Sequence, residues 1–296
     1  MSTIKNLKGR IEALSSTKKI SNTMNMIASA KLCHIKKFLQ KAKDGKKNIS
    51  MSFEDILGNT YKEIYLEKKI HNIREKENDN TLFNLLKNQS SSTHKTLIVI
   101  SSDKGLCSNF NSKINSFLKY DLLSDKKEKF DNYIIIGKKS FNTINKITKS
   151  KVKLFNLNIK EENLFFFAEE IFKLFYTRKK NFYIKILYSD FENVVSNSLT
   201  FHDIYYRNLN IEERNLNIDD NEAIVRLINK HATLNIYYCL ISSRASEESS
   251  RMIAMDTASK NCSDFIDDLI LKMNKIRQNN ITKELIEIIS GSSVNQ

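Results

Sequence analysis

ASEESSRMIAMDTASKNCSDFIDDLILKMNKIRQ, residues 245–278, is the stretch whose reading decides the fold. Stepping alternately four and three residues from Ile241 lands on Ile241, Ala245, Glu248, Met252, Met255, Ser259, Cys262, Ile266, Leu269, Met273, Ile276 and Asn280. Nine of those twelve positions are apolar, a sustained heptad seam. The seam is built from Ala, Met, Ser and Cys as much as from Leu and Ile, and charged or amide residues crowd its flanks. A single stripe of this length needs a partner helix. Small seam residues let that partner approach closely, and Met fills irregular gaps.

Outward from this stretch, the helical pattern runs from about Asp219 to Ser290, with Gly291 just beyond it in a C-cap position. The 296-residue chain has no Pro, no Trp and 6 Gly, so the commonest helix breaker is missing. At about 1.5 Å per residue such a helix spans on the order of 100 Å. A compact domain of about 100 residues has a radius of gyration of only about 13 Å. The helix is therefore expected to project. A second helix is expected at roughly residues 2 to 58, with Ile4, Leu7, Ile11 and Leu14, and then Ile20, Met24, Ile27, Ile35, Phe38 and Ala42, at helical spacing. One runs into the middle of the chain and the other runs out of it, so pairing makes them antiparallel. The C-terminal member is longer and is expected to overhang with ITKELIEIISG, still bearing Ile281, Leu285, Ile286, Ile288 and Ile289. A lone apolar helix end in water must be sheathed by something else.

Between the helices the period changes. TLIVIS, YIIIG and NFYIKILYS are short apolar runs alternating with the helical stretches NSKINSFLKYDLL, KKSFNTINKI and EENLFFFAEEIFKLFYT, and SLTFHDIYY adds a strand. That alternation predicts an α/β domain of Rossmann-like type with a mainly parallel sheet. The expected division is an N-terminal coiled-coil helix at 1–58, a helical or loop connection at 59–94, a central α/β domain at 95–210 and a C-terminal coiled-coil helix at 211–296.

Net charge is +14, which suggests an acidic partner, against the plainer reading of lysines on solvated faces. Cys33, Cys107, Cys239 and Cys262 are far apart and lack metal-ligand spacing, as expected for free thiols in a reducing compartment. The start, MSTIKNLKGRIEAL, has no apolar core of a secretory signal, and runs such as LIVI are too short to cross a bilayer. His34, His71, His94, His202 and His231 are scattered, and Asp264, Asp267 and Asp268 read as an exposed acidic patch. No catalytic set, metal site or cofactor site is expected. SSDKGLCSNFN (101–111) and GKKS (137–140) invite a phosphate-loop reading, but the GxxxxGK[ST] pattern is missing from both.

Four segments, ISNTMNMIASAKL (20–32), SSDKGLCSNFN (101–111), ASEESSRMIAMDTASKN (245–261) and NKIRQNNITKELIEIISG (274–291), together resemble the γ subunit family of F-type ATP synthase. The resemblance implies a rotor. The coiled coil would stand inside a hexameric ring of α and β subunits, with the α/β domain as a foot on the ε subunit and the membrane c-ring. Proton flow would turn it and drive the β catalytic sites through their cycle, and the chain itself would make no bonds. The implied location is peripheral, on the cytoplasmic face of the cell (inner) membrane. Met24 matches a shaft residue facing an acidic β loop, and Arg251 an arginine that pairs with a β carboxylate. Arg277, Gln278 and Thr282 match a polar group near the upper catch and sleeve. From spacing alone, Met24 is a seam or surface methionine, Arg251 a partner for Glu247 or Glu248, and the last three a solvated face. The family's turn after GLC is Gly-rich, whereas Ser108 and Asn109 stand here, and Asn109 tolerates a left-handed backbone well. Two other functions share parts of this pattern: a static scaffold, and a nucleic-acid-binding basic coiled coil, which needs a basic stripe interleaved with aromatics.

Overall fold

The computed structural model describes residues 2–65, 94–123, 130–148, 151–157, 159–176, 182–206 and 218–293. Of the connection expected at 59–94, residues 66–93 lie outside them, as does His71, while 59–65 continue the first helix, which runs past the expected end at 58, and His94 opens the first strand. In chain order the elements are α1 (Ser2–Tyr65), β1 (His94–Ile100), α2 (Phe110–Leu123), β2 (Asn132–Ile136), α3 (Phe141–Ile147), β3 (Lys151–Phe155), α4 (Leu164–Tyr176), β4 (Phe182–Phe191), β5 (Asn197–Tyr206) and α5 (Ile218–Ser293). They form two compact units, residues 31–250 and residues 1–30 with 251–296, and α1 and α5 contribute to both.

The larger unit is an α/β layer structure. Its sheet has the order β3-β2-β1-β4-β5, parallel throughout except for the antiparallel β4–β5 hairpin. Central strands here are covered on both faces, which is why LIVI and YIII are unbroken apolar runs. Leu97, Val99, Tyr133, Ile135, Tyr183 and Leu187 pack against Phe110, Ile114 and Leu118 of α2 and Ile144 of α3. The alternate residues, Ile98, Ile100, Ile134, Ile136, Ile184 and Ile186, face α1, α4 and α5. On α4 the buried residues Leu164, Phe167, Ala168, Ile171, Phe172 and Phe175 follow the helical three-and-four spacing of one stripe. β3 was not anticipated as a strand. Its sequence KVKLF alternates with lysine, as suits an edge strand with one side open, and so lacks the continuous apolar run that marks its neighbours.

Within this unit α1 and α5 pair antiparallel. Leu234 side-chain atoms lie 3.8 Å from where a Cβ on Gly45 would stand, and Lys31 pairs with Glu248 at 3.8 Å, so later residues of one helix face earlier residues of the other. The seam read from Ile241 holds along α5: Ile241, Ala245, Glu248, Met255, Ser259 and Cys262 are buried, and Met252, Ile266, Leu269, Met273, Ile276 and Asn280 are half-buried.

The seam of α1 differs from expectation. Ile20 and Ile27 are 61% and 52% exposed, and the inward line runs from the half-buried Leu14 and Lys18 to the buried Ser21, Ala28, Leu32, Ile35, Leu39 and Ala42. Helical phase explains this. At about 100° per residue, Ser21 falls about 20° from Leu14 around the axis, whereas Ile20 falls about 120° away. Gly291 is a second correction. The helix continues to Ser293, so Gly291 is inside it rather than past its end.

α5 is fastened to β4 through polar contacts as well as apolar ones. The Tyr238 hydroxyl donates to the Asp190 carboxylate at 3.0 Å, and the Ser242 hydroxyl donates to the same oxygen at 2.8 Å. Burial pushes the Tyr238 phenol well above its ordinary value of 10.0, and the Asp190 charge and hydrogen bond push it the same way. A phenol whose folded value is raised contributes stability that is fully present below its unfolded value and is lost as pH climbs through the folded one. Urea midpoints of the purified chain should therefore fall from about pH 10 upward. Tyr238→Phe should flatten that fall, and an equal slope in the variant would remove Tyr238 as its source.

Candidate functional site

The carboxyl ends of the parallel strands are where α/β sheets bind ligands, at the point where strand order reverses. Here that edge is filled by the protein's own groups. After β2, the N–H of Gly137 donates to Phe155 O at 2.9 Å, that of Lys138 to the Asp103 carboxylate at 3.1 Å, and that of Lys139 to Ser102 O at 3.1 Å. The other Asp103 oxygen accepts the Leu157 N–H at 2.7 Å. The amides that a phosphate loop would offer to a ligand are thus satisfied internally, and Asp103 supplies the negative charge. GKKS is a loop-closing segment. Gly137 is required there: its φ is +97°, and a Cβ would stand 2.2 Å from Ser101 O.

The SSDKGLCSNFN turn is held by a small polar knot. Asn111 Nδ2 donates to Ser102 Oγ at 2.8 Å and to Cys107 Sγ at 3.1 Å, and Ser102 Oγ donates to Lys104 O at 2.6 Å. The left-handed residues are Leu106 (φ +62°) and Ser108 (φ +50°), not Asn109. A glycine at position 108 would carry no Cβ penalty, and the left-handed backbone of Ser108 costs about 1–2 kcal/mol.

The residues singled out on the helices lie on exposed or half-buried surface of the unit formed by 1–30 and 251–296. Met24 on α1 and Arg251 on α5 are half-buried; Arg277, Gln278 and Thr282 are exposed. The Thr282 hydroxyl is turned back onto its own helix, donating to Gln278 O at 3.0 Å, which places those two residues one above the other. The glutamates expected as partners of Arg251 also meet other cations. Glu247 accepts from Arg244 at 3.3 Å, Arg244 also meets Glu161 at 3.8 Å, and Glu248 pairs with Lys31. Both glutamates are 2% exposed, so these ion pairs neutralise charges that would otherwise be costly to bury. From Ile281 to Ser290 every residue of α5 is exposed, including Ile281, Leu285, Ile286, Ile288 and Ile289. An open groove between α1 and α5 is lined by Arg10, Ala13, Leu14, Thr17, Phe265, Asp268, Leu269 and Lys272. Among the described residues no three potential ligands gather as a metal site, and no helix is long and apolar enough to cross a membrane.

A mainly parallel α/β unit together with two long antiparallel helices, the second ending in exposed apolar side chains, is the class of fold these residues define. A family model described as ATP synthase matches residues 3–294. The chain is 32% identical to the ATP synthase gamma chain of Rickettsia akari and 33% to that of Rickettsia bellii, in both cases over 99% of each chain. Among solved structures it is similar to a chain of the Euglena gracilis mitochondrial ATP synthase OSCP/F1/c-ring assembly (TM-score 0.65, 17% identity, 99% of this chain and 94% of that one). It is also similar to a chain of the Tetrahymena thermophila central stalk and c-ring (TM-score 0.54, 21% identity, 81% and 99%). The chain belongs to the ATP synthase gamma chain family.

Asp103 joins three loops through two backbone donors. Asp103→Ala leaves both without their partner and should cost about 2–3 kcal/mol. The check is the urea midpoint of the purified chain at low concentration; a change below about 0.5 kcal/mol, the range of an ordinary surface substitution, would deny Asp103 that role.

Proposed function

We propose that the chain is the central rotor shaft of an F-type ATP synthase, coupling proton flow through the membrane sector to the cycling of the catalytic β subunits. α1 and α5 stand within the α and β ring, and the α/β body rests on the ε subunit and the c-ring. The chain carries torque and makes no bonds, and it sits peripherally on the cytoplasmic face of the cell (inner) membrane. The observation that carries this reading is the apolar end of α5, whose isoleucines and Leu285 are 49–68% exposed. Contiguous apolar surface of this kind marks a contact site. Burial of apolar surface is non-directional, so a sleeve can cover this end without fixing its angle. That is what a turning tip requires.

Met24, Arg251, Arg277, Gln278 and Thr282 are the proposed contacts with the ring. Their polar members can exchange hydrogen bonds from one equivalent subunit to the next, while the apolar tip keeps the axis centred. A nucleic-acid role is less well supported. Among the described residues, the well-exposed aromatics Tyr120, Phe166 and Phe265 lie on three different helices and make no continuous stacking platform.

Two experiments test the reading. Cross-linking α5 to one β subunit in the assembled complex should abolish ATP-driven turnover, and reduction of the cross-link should restore it. Turnover that persists while cross-linked would make the chain a static scaffold. Arg251→Ala should slow coupled ATP synthesis about fivefold, the effect of losing roughly 1 kcal/mol of ion pairing at one dwell, while leaving assembly intact. Equal synthesis rates would remove Arg251 from the contact set.

A further inference from the structure

The contact of α5 with the β4–β5 hairpin is built from hydroxyls at positions where apolar side chains are the usual choice. Tyr238, Ser242, Ser246 and Ser249 lie four, four and three residues apart, which keeps them on one face of the helix. Ser242 accepts the Phe191 N–H at 2.8 Å while donating to Asp190 at 2.8 Å. Ser246 donates to Ser189 O at 3.1 Å, and Ser249 meets Asn197 Nδ2 at 3.0 Å. Ser242, Ser246 and Ser249 are fully buried. Every rung joins the same helix to the same hairpin.

Apolar residues at these positions would bury more surface, but such contact lets a helix roll or slide against a sheet. Hydrogen bonds are directional and short-ranged. At about 5 Å from the helix axis, a roll of about 10° moves a hydroxyl by about 1 Å, which stretches or misaligns a bond of ordinary length. Several rungs on successive turns therefore fix both the rotation and the axial position of α5 against β4. We propose that this ladder is the joint through which twisting load carried by α5 enters the α/β body, with Asp190, Ser242, Ser246 and Ser249 as its positioning residues. The proposal rests on the rotor reading and names the residues that make the rotor stiff at this point.

The test uses the assembled complex, immobilised through its β subunits. A probe is attached to the α/β body through Tyr120→Cys in a Cys33→Ser background. Tyr120 is 76% exposed and lies on α2, on the face of the sheet opposite α5. The readout is the angular variance of the probe at each ATP-waiting dwell. Ser246→Ala and Ser249→Ala each remove one rung and should widen the distribution. Removing both, half of the four rungs, should raise the variance about twofold while ATP hydrolysis stays within about twofold of the parent. Ile171→Val, a cavity variant in α4 within the same core, should leave the variance unchanged. Unchanged variance in the serine variants, or equal widening in Ile171→Val, overturns the joint while the rotor reading stands. A probe that does not rotate in the parent complex sinks both.

Discussion

A long straight helix can bury one stripe of its surface and no more. That constraint organises this molecule. α1 and α5 each offer a single seam, and each is far longer than any helix of the α/β body. Their seams cannot be satisfied by the sheet along the whole length, so the helices satisfy each other, with later residues of one against earlier residues of the other. Where α5 outruns its partner, the apolar side chains continue and the cover stops. The exposed end is thus a consequence of unequal helix lengths as much as of sequence.

The same constraint explains why polar groups sit in unusual places. A seam of Ala245, Ser259 and Cys262 allows close approach, but it supplies little burial energy per turn compared with a leucine seam. The larger unit adds what the seam lacks. The ion pairs Lys31–Glu248 and Arg244–Glu161 hold α5 to its neighbours, Arg244 also reaching Glu247 on its own helix, and a row of hydroxyls fixes the angle of α5 to β4. Such groups contribute specificity of register where apolar packing would contribute mainly stability. For a shaft that must not slip, register is the more useful property.

The sheet makes a related exchange. Its strand order and crossovers produce a carboxyl edge that in many α/β folds receives a phosphate. Here Asp103 and the backbone carbonyls of Ser102 and Phe155 occupy the amides instead, and Gly137 allows the two loops to approach within van der Waals contact.

The α5 seam, the parallel strands and the α4 stripe were legible because each follows a repeat that backbone geometry imposes: 3.5 to 3.6 residues per turn for the helices, and two-sided burial for the central strands. The family resemblance was likewise carried by contiguous segments. Other features were not legible, for identifiable reasons. Ile20 and Ile27 looked like seam residues because hydrophobicity was read without helical phase. β3 was hidden by its lysines. The ladder from Tyr238 to Ser249, and the closure by Asp103, join residues some fifty positions apart, and nothing local distinguishes those serines from solvated ones. Sequence alone determined the repeats, since a period is a property of consecutive residues. Only the folded chain decided which polar groups became structural, because a hydroxyl's role depends on what stands within about 3 Å of it.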